Sequence, residues 1–260
     1  MVPHAGSRTQ EDPLKAEPSA QQALLDLQDT DSALARLQHR RGSLPELARI
    51  EELTAEVAEL RGRQVEVETT VSDLTRAQKK ADAEVEQVKT RRTRDEERLS
   101  SGAITNPKDL ENLQHELGAL ERRISTLEDE ELEIMEQLEI AQAELRAVTA
   151  DHDALVAELT HVTAARDAAV EAIDAEVVSV NEERESVAPG VPADLLALYD
   201  KVRHQYGGLG AAALRARRCE GCRLELNGAD LREIAAQPED DVVRCPECSR
   251  ILVRTAESGL

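Results

Sequence analysis

The four cysteines of the chain are the residues whose type and spacing point to chemistry. They form two pairs, Cys219 with Cys222 and Cys245 with Cys248, with two residues inside each pair and 22 residues between the pairs. Two C-x-x-C pairs at this separation are the pattern expected for tetrahedral coordination of Zn²⁺ by thiolates. The spacing therefore predicts one structural zinc ion with all four sulfur atoms as ligands.

A zinc ion with four thiolate ligands has a complete coordination sphere, which limits what the site can do. No position is left for an activated water, so we expect the metal to stabilise a small domain rather than to catalyse a reaction. A thioredoxin-like redox site would need a C-x-x-C beside a βαβ unit, and the required alternation is missing from the sequence. The sequence predicts that the chain is not an enzyme, with no catalytic residues and no small-molecule substrate.

Short elements must hold the two cysteine turns. Residue types that favour strands predict two strands around the second turn, at 241–244 and 250–254. A third strand is predicted at 223–226, and a short helix at 229–237. Together these elements describe a β-rich zinc ribbon over residues 211–260.

Seven arginines in or beside the ribbon are candidates for contact with nucleic-acid phosphates. They are Arg215, Arg217, Arg218, Arg223, Arg244, Arg250 and Arg254. A solvated ribbon surface with local ion pairs explains them equally well. Because the chain has neither Phe nor Trp to stack on splayed bases, binding to RNA or DNA would be mainly to the backbone and weakly sequence-selective.

The rest of the chain has the composition of long helices. Of its 260 residues 33% are charged and 1% aromatic, which leaves little with which to line a substrate cavity. The apolar fraction of 40% is mainly Ala, Leu, Val and Ile, as in helices that bury a narrow stripe. A net charge of −21 makes nonspecific attraction of the whole molecule to nucleic acid or anionic lipid unfavourable.

Two heptad repeats predict the main elements. Apolar residues recur at alternating intervals of three and four over residues 50–99 and again over residues 110–173, with Gln64 at one seam position. Asn106 and Pro107 between them are typical of a helix start. The two repeats therefore predict a long antiparallel coiled-coil helical hairpin, and the fold class is mainly α with a small C-terminal β-rich zinc ribbon.

Composition shifts divide the chain into four parts. Pro45 predicts a kink near 42–45, where Ser43 is a candidate cap for the restarted helix. The parts are a disordered leader at 1–18, the hairpin at 19–188 with its turn near 100–107, a linker with a short helix at 189–210, and the zinc ribbon at 211–260. The short helix is predicted from Ala193 to about Tyr206, and Tyr199 is expected to pack rather than to stack on a ligand.

The compartment follows from two further observations. The N-terminus lacks a basic-then-apolar signal pattern, and no run of about 18 apolar residues occurs that would span a bilayer. The cysteines are clustered, whereas a secreted disulfide scaffold would spread them along the chain. We expect a cytoplasmic protein with no membrane partner.

The order of these parts resembles a known bacterial family. The hairpin apex is GAITNPKDL at 102–110, the ribbon ends in CPECSRIL at 245–252, and the leader ends in LKAEP at 14–18. These motifs are similar to those of the C4-type zinc ribbon family described as nucleic-acid-binding proteins, over residues 15–256. The resemblance implies a coiled-coil hairpin joined to a zinc ribbon. For some members it implies a role in flagellar or type III secretion assembly through protein partners and RNA.

The resemblance transfers the zinc-binding role to the four cysteines only. Ser249 stands where relatives often have glycine. Composition, periodicity and motif together predict a non-enzymatic, zinc-binding adaptor whose hairpin and ribbon engage protein partners. The alternative is an RNA- or DNA-binding zinc ribbon that contacts the phosphate backbone through its arginines.

Overall fold

The computed structural model describes residues 14–260 and is mainly helical, as predicted. In chain order the elements are α1 (Pro18–Gly42), α2 (Pro45–Ser100), α3 (Pro107–Val187), a 3-10 turn (Ala188–Gly190), α4 (Ala193–Gln205), β1 (Ala211–Arg215), β2 (Arg218–Cys219), α5 (Gly228–Ala236) and β3 (Ile251–Arg254). The described chain divides into two compact units, one of residues 46–165 and one that joins residues 14–45 to residues 166–260. Within residues 14–260, no helix is long and apolar enough to cross a membrane.

In residues 46–165, α2 and α3 pair in antiparallel fashion. Arg49 of α2 binds Glu158 of α3 at 2.7 Å, and Lys89 further along α2 binds Glu128 nearer the start of α3 at 2.8 Å. The seam between the helices buries residues of both heptad repeats. They include Leu53, Val67, Val85, Leu113, Ile124, Leu127, Leu138, Ala141 and Val148. Both heptad repeats therefore provide the buried seam of the hairpin.

The seam also holds a polar residue that contacts the opposite helix. Gln64 is buried, and its Nε2 donates a hydrogen bond to Oγ1 of Thr149 at 3.2 Å. A sliding of α2 along α3 would break this bond and leave the Nε2 group of a buried side chain without its partner on α3, which is costly. Gln64 therefore favours one register of the two helices.

The turn between the long helices lies within residues 100–107. α2 ends at Ser100, and α3 begins at Pro107, whose missing N–H is no loss at a first helical position. Oδ1 of Asn106 accepts a hydrogen bond from the N–H of Lys108 at 3.1 Å. The helix start predicted at Asn106 and Pro107 is confirmed, and Asn106 caps it.

A two-residue break separates α1 from α2. α1 ends at Gly42, and α2 begins at Pro45. The hydroxyl of Ser43 donates a hydrogen bond to the carbonyl of His39 at 2.8 Å, so this side chain closes α1. The expectation that Ser43 caps α2 is wrong, because its side chain turns back towards the preceding helix.

The second unit is built around a three-stranded sheet in the order β2-β1-β3. β1 pairs with β3 in parallel and with β2 in antiparallel orientation. Each face of this sheet is buried in a different cluster, because successive side chains of a strand point to opposite faces. Ile251 and Val253 of β3 pack on one face with Leu24 of α1 and Tyr199 of α4, whereas Leu252 packs on the other face with the zinc ribbon.

Contacts with residues 240–242 change the expectation for the start of the described chain. The N–H of Ala16 donates to the carbonyl of Asp240 at 2.7 Å, and the carbonyl of Leu14 accepts from the N–H of Val242 at 2.9 Å. The prediction of disorder over residues 1–18 is therefore wrong for residues 14–18, and residues 1–13 lie outside the described residues.

The short helix predicted within residues 189–210 is confirmed as α4. Its Tyr199 packs, as expected, in the same buried cluster as Ile251 and Val253 of β3.

The strand predicted at 250–254 is confirmed as β3, but the other strands of the ribbon differ from those predicted. At 223–226 and 241–244 the chain makes only isolated bridges, and β1 was not expected, because three of its five residues are alanine, which disfavours strands in isolation. The predicted short helix is confirmed as α5. Its cap is Asn227, whose side chain accepts from two backbone N–H groups of the first turn.

A buried carboxylate joins three helices of this unit. Asp31 of α1 is 2% exposed and accepts hydrogen bonds from the Tyr199 hydroxyl at 2.7 Å and from Nε of Arg184 at 2.8 Å. Arg203 lies 3.3 Å from the same carboxylate. Burial raises the pKa of Tyr199, and the bond to Asp31 raises it further, so the phenol stays protonated and donates.

The loop that leads into β1 requires a glycine. A Cβ at Gly210 would lie 2.8 Å from both the ring and the carbonyl of Tyr199. The close approach lets the N–H of Gly210 donate to Oε1 of the buried Gln28 at 2.6 Å. α1, α4 and β1 therefore meet at a position where no other residue fits.

Replacing Asp31 by asparagine should lower the free energy of unfolding by about 3 kcal/mol, because it leaves two arginines facing an uncharged partner in a buried site. Urea denaturation followed by circular dichroism measures the change. The matched control is Asp174→Asn, which removes the exposed ion pair with Arg41 and should cost less than about 1 kcal/mol. Equal effects of the two substitutions would contradict the role assigned to Asp31.

Candidate metal centre

The first cysteine turn is a closed backbone loop. The N–H of Cys219 donates to the carbonyl of Leu224 at 3.0 Å, and the N–H of Arg223 donates back to the carbonyl of Cys219 at 2.7 Å. Arg223 has a φ of +63°, in the left-handed region that side chains with a Cβ disfavour. The positive φ completes the tight turn that brings Cys222 back towards Cys219.

The second cysteine turn repeats this geometry. The N–H of Cys245 donates to the carbonyl of Arg250 at 2.9 Å, and the N–H of Ser249 donates to the carbonyl of Cys245 at 2.8 Å. Ser249 has a φ of +60°, so both turns place a left-handed residue directly after their second cysteine. This conformation gives a physical reason for glycine to be common at the position in the family that the motif resembles.

The two turns bring the four predicted ligands together. The Sγ atoms of Cys219 and Cys248 lie 3.9 Å apart, those of Cys222 and Cys245 lie 4.0 Å apart, and all four lie within 4.8 Å of one another. A tetrahedral site with Zn–S bonds of about 2.3 Å requires sulfur atoms about 3.8 Å apart. The sulfur positions therefore fit one tetrahedral structural Zn²⁺, and the four thiolates leave no ligand position open.

The surroundings of the thiols explain why they need a metal. Burial raises the pKa of Cys219 to about 11 and also raises the pKa of Cys245, against the opposing effect of backbone N–H groups. Burial acts in the same direction on Cys248, but hydrogen bonds from Arg250 and from neighbouring cysteines outweigh it, so that the pKa of Cys248 falls. Four thiolates this close together, two of them buried, are stable only beside a compensating positive charge, which zinc supplies.

The zinc site is packed against the sheet. Cys219 ends β2, and both Cys219 and Cys245 are buried in the cluster that contains Leu214 of β1 and Leu252 of β3. A Cβ at Gly221 would lie only 3.0 Å from the Cβ of Ala212, so the first turn rests directly on β1. Zinc therefore ties β2 to the loop that enters β3.

The structure separates the seven arginines that were predicted as phosphate contacts. Arg254 donates hydrogen bonds to five backbone carbonyls at the end of α5 and in the loop that follows, at 2.6 to 3.3 Å. Arg250 donates to the carbonyls of Leu209 and Tyr206, and its guanidinium lies over the Tyr206 ring. These two guanidinium groups hold loops together. The sequence does not reveal this role, because it does not show whether an arginine beside a strand binds carbonyls of the protein or is free to bind phosphate.

The other five arginines are exposed. Arg215 forms an ion pair with Glu257 at 2.7 Å, and Nε of Arg244 donates to the carbonyl of Ser249 at 2.8 Å. Arg217, Arg218 and Arg223 lie in or near the first cysteine turn, where the carbonyl of Arg217 accepts a bond from the N–H of Leu226. The basic surface of the ribbon is therefore smaller than predicted and is centred on the first turn.

Ser249→Gly should tighten zinc binding by about two- to fivefold. Glycine removes the strain of a positive φ, and this gain exceeds the extra backbone entropy that glycine loses on folding. The gain appears in the zinc affinity because folding of the ribbon is coupled to metal binding. Competition with a chromogenic chelator measures the affinity. Arg223→Gly should change it in the same direction. Ser43→Gly is the control, since Ser43 has a φ of −118° and lies outside the metal turns. Equal zinc affinities of the Ser249→Gly and Ser43→Gly variants would rule out strain at Ser249.

Comparison with known proteins agrees with this architecture. Residues 27–207 match the CT398-like coiled coil hairpin domain, and residues 218–252 match the C4-type zinc ribbon domain. The uncharacterized protein Rv2229c of Mycobacterium tuberculosis is 36% identical over 241 residues, which cover 93% of this chain and 98% of that protein. The uncharacterized protein ML1638 of Mycobacterium leprae is 31% identical over 226 residues, which cover 85% of this chain and 94% of that protein.

Two solved structures are similar to this one. A protein from Mycobacterium smegmatis superposes with a TM-score of 0.80 at 37% identity, over 93% of this chain and all of that chain. CT398 from Chlamydia trachomatis shares the fold, with a TM-score of 0.65 at 18% identity, over 91% of this chain and 98% of that chain. On the match of the hairpin, the zinc ribbon and the mycobacterial relatives, the chain belongs to the family of CT398-like coiled coil hairpin proteins with a C4-type zinc ribbon.

Proposed function

We propose that the protein is a non-enzymatic adaptor whose hairpin and zinc ribbon bind protein partners in the cytoplasm. The zinc ion in this proposal is structural, because four thiolates fill its coordination sphere and hold the ribbon against the sheet. The paired helices provide a long surface, since their seam is consumed internally while their flanks stay accessible.

The observation that carries the proposal is the exposure of large apolar side chains on both units. Val65 of α2 is 47% exposed, and Leu224 in the first cysteine turn is 51% exposed. By contrast, Leu53 of the seam and Leu226 of the ribbon are almost fully buried. Contiguous apolar patches on a polar surface mark sites that bind other proteins, and we propose Val65 and Leu224 as contact residues of two such sites.

Photo-crosslinking in living cells tests this proposal. A benzophenone amino acid placed at Val65 or at Leu224 should give discrete crosslinked protein products, because both positions lie on the proposed binding surfaces. Glu68 and Glu239 are exposed positions on the same two units and serve as controls that should give weaker products. Products no stronger than those of the controls, or products that nuclease removes, would contradict the adaptor.

The second candidate function is backbone binding to RNA or DNA by the ribbon. Its support is the exposure of Arg217, Arg218 and Arg223 around one turn of a chain that is otherwise strongly acidic. Contacts of this kind release counterions and depend steeply on salt.

Fluorescence anisotropy of a labelled single-stranded RNA with the zinc-loaded protein tests this candidate. Arg217→Ala combined with Arg218→Ala should weaken binding and reduce the salt slope by about two, one unit for each phosphate contact. The control is Arg250→Lys, which keeps the positive charge at a position where the guanidinium binds carbonyls of the protein itself. Binding that is absent at low salt, or equal in the double variant, would remove this candidate.

A further inference from the structure

The side of α3 that faces away from the seam carries a second heptad pattern. Within residues 46–165 it begins at Ile140 and continues at intervals of three and four residues, and every position in it is exposed. Its members are Ile140, Ala143, Ala147, Ala150, Ala154 and Ala157. We call these six residues the outer seam.

The position of the outer seam follows from helix geometry. Seam residues of the hairpin include Leu138 and Ala141, which are buried, and the outer seam is displaced from them by two residues. Two residues turn an α-helix by about 200°, so the outer seam points away from α2. In residues 46–165, where α2 and α3 are the only described helices, nothing packs on it.

The apolar side chain at the start of the outer seam, Ile140, is 69% exposed. Leu132 is 57% exposed and lies beside the outer seam, at the heptad position that Glu139 occupies one repeat later. The alanines that follow are small enough to let a neighbouring helix approach closely, and an a and d pattern is what knobs-into-holes packing requires. A helix face that contacts only solvent has no use for an exposed isoleucine or for a heptad of apolar residues, so both features favour a helix as the partner of this face.

The flanks of the outer seam are predominantly acidic, with Arg146 as their one basic residue. Acidic residues occupy the positions beside it at Glu139, Glu144, Asp151, Asp153 and Glu158. Over residues 128–158 the chain has eleven acidic residues and one basic residue, Arg146. In a coiled coil these flanking positions set which partner binds through interhelical ion pairs.

Part of this negative charge is not compensated within the hairpin. Glu144 pairs with Arg63, and Glu158 pairs with Arg49, but Glu139 and Asp151 have no ion pair among residues 14–260. Further towards the apex, a hydrogen bond shared with the carboxyl of Asp82 raises the pKa of Glu131. Two carboxyl groups forced together indicate an excess of negative potential along this part of the hairpin.

We infer that the outer seam docks one α-helix of a protein partner, an amphipathic helix with an apolar stripe flanked by lysine or arginine. This inference rests on the proposed adaptor function and gives it a surface and a partner chemistry. A second copy of the chain is disfavoured as the occupant, because its own outer seam has acidic flanks and like charges would face each other.

A designed peptide provides the probe. It has about 28 residues in four heptads, with leucine and alanine at the a and d positions and lysine at the flanking positions. Titrated with the full-length, zinc-loaded protein, the labelled peptide should bind with micromolar affinity that falls as salt rises. A peptide with glutamate in place of each lysine should not bind.

Variants of the outer seam decide whether binding occurs there. Ala147→Gln combined with Ala154→Gln should weaken binding at least tenfold, because the longer side chains prevent close approach of the helix. Ala55→Gln combined with Ala58→Gln changes exposed alanines of α2 and should leave binding unchanged. Circular dichroism should show equal helix content in both double variants.

Two outcomes would overturn the inference. One is the absence of binding by the lysine peptide at about 100 μM and low salt, and the other is equal binding by wild type and the Ala147→Gln, Ala154→Gln variant. Crosslinking from Val65 and Leu224 tests the adaptor without using the outer seam. Crosslinks from those positions together with failure of the peptide would reject the outer seam and keep the adaptor.

Discussion

Coordination of one zinc ion by four thiolates is the interaction on which the ribbon unit depends. It fixes Cys219 at the end of β2 relative to Cys245 and Cys248 before β3, and so holds together a sheet of only three short strands. With the sheet fixed, Ile251 and Val253 offer a second apolar face on which α1 and α4 pack. A domain of this size lacks the apolar area to fold by burial alone, and the metal supplies the missing free energy.

The hairpin and the metal site were predictable because both depend on local patterns. The heptad repeats determine which side of each helix is buried, and the proline and asparagine at 106–107 determine where α3 begins. Two C-x-x-C pairs specify their own metal, since each chelates from one turn. In the sequence, Ser249 was noticeable only because relatives often have glycine at this position. The structure explains that preference, because Ser249 has a positive φ.

Features that depend on residues distant in sequence were not predictable. Asp31 meets Arg184 and Tyr199 across more than 150 positions, and nothing in the spacing of charges along α1 distinguishes it from a solvated aspartate. β1 is alanine-rich and becomes a strand because its neighbours bury both of its faces. Arg250 and Arg254 looked like phosphate contacts, yet they hold protein carbonyls, since basic composition does not show where a guanidinium points.

The pairing of Leu14 and Ala16 with the segment 240–242 has a consequence for synthesis of the protein. Residues 14–16 and α1 leave the ribosome before the segment 240–242 and β3, which they contact and which are made roughly 200 residues later. At a translation rate of about 5–20 residues per second, the apolar side of α1 waits about 10–40 s for its partner. Throughout that interval Leu24 and Leu27, which are fully buried in the finished protein, are free to bind whatever nascent-chain factor the cell provides.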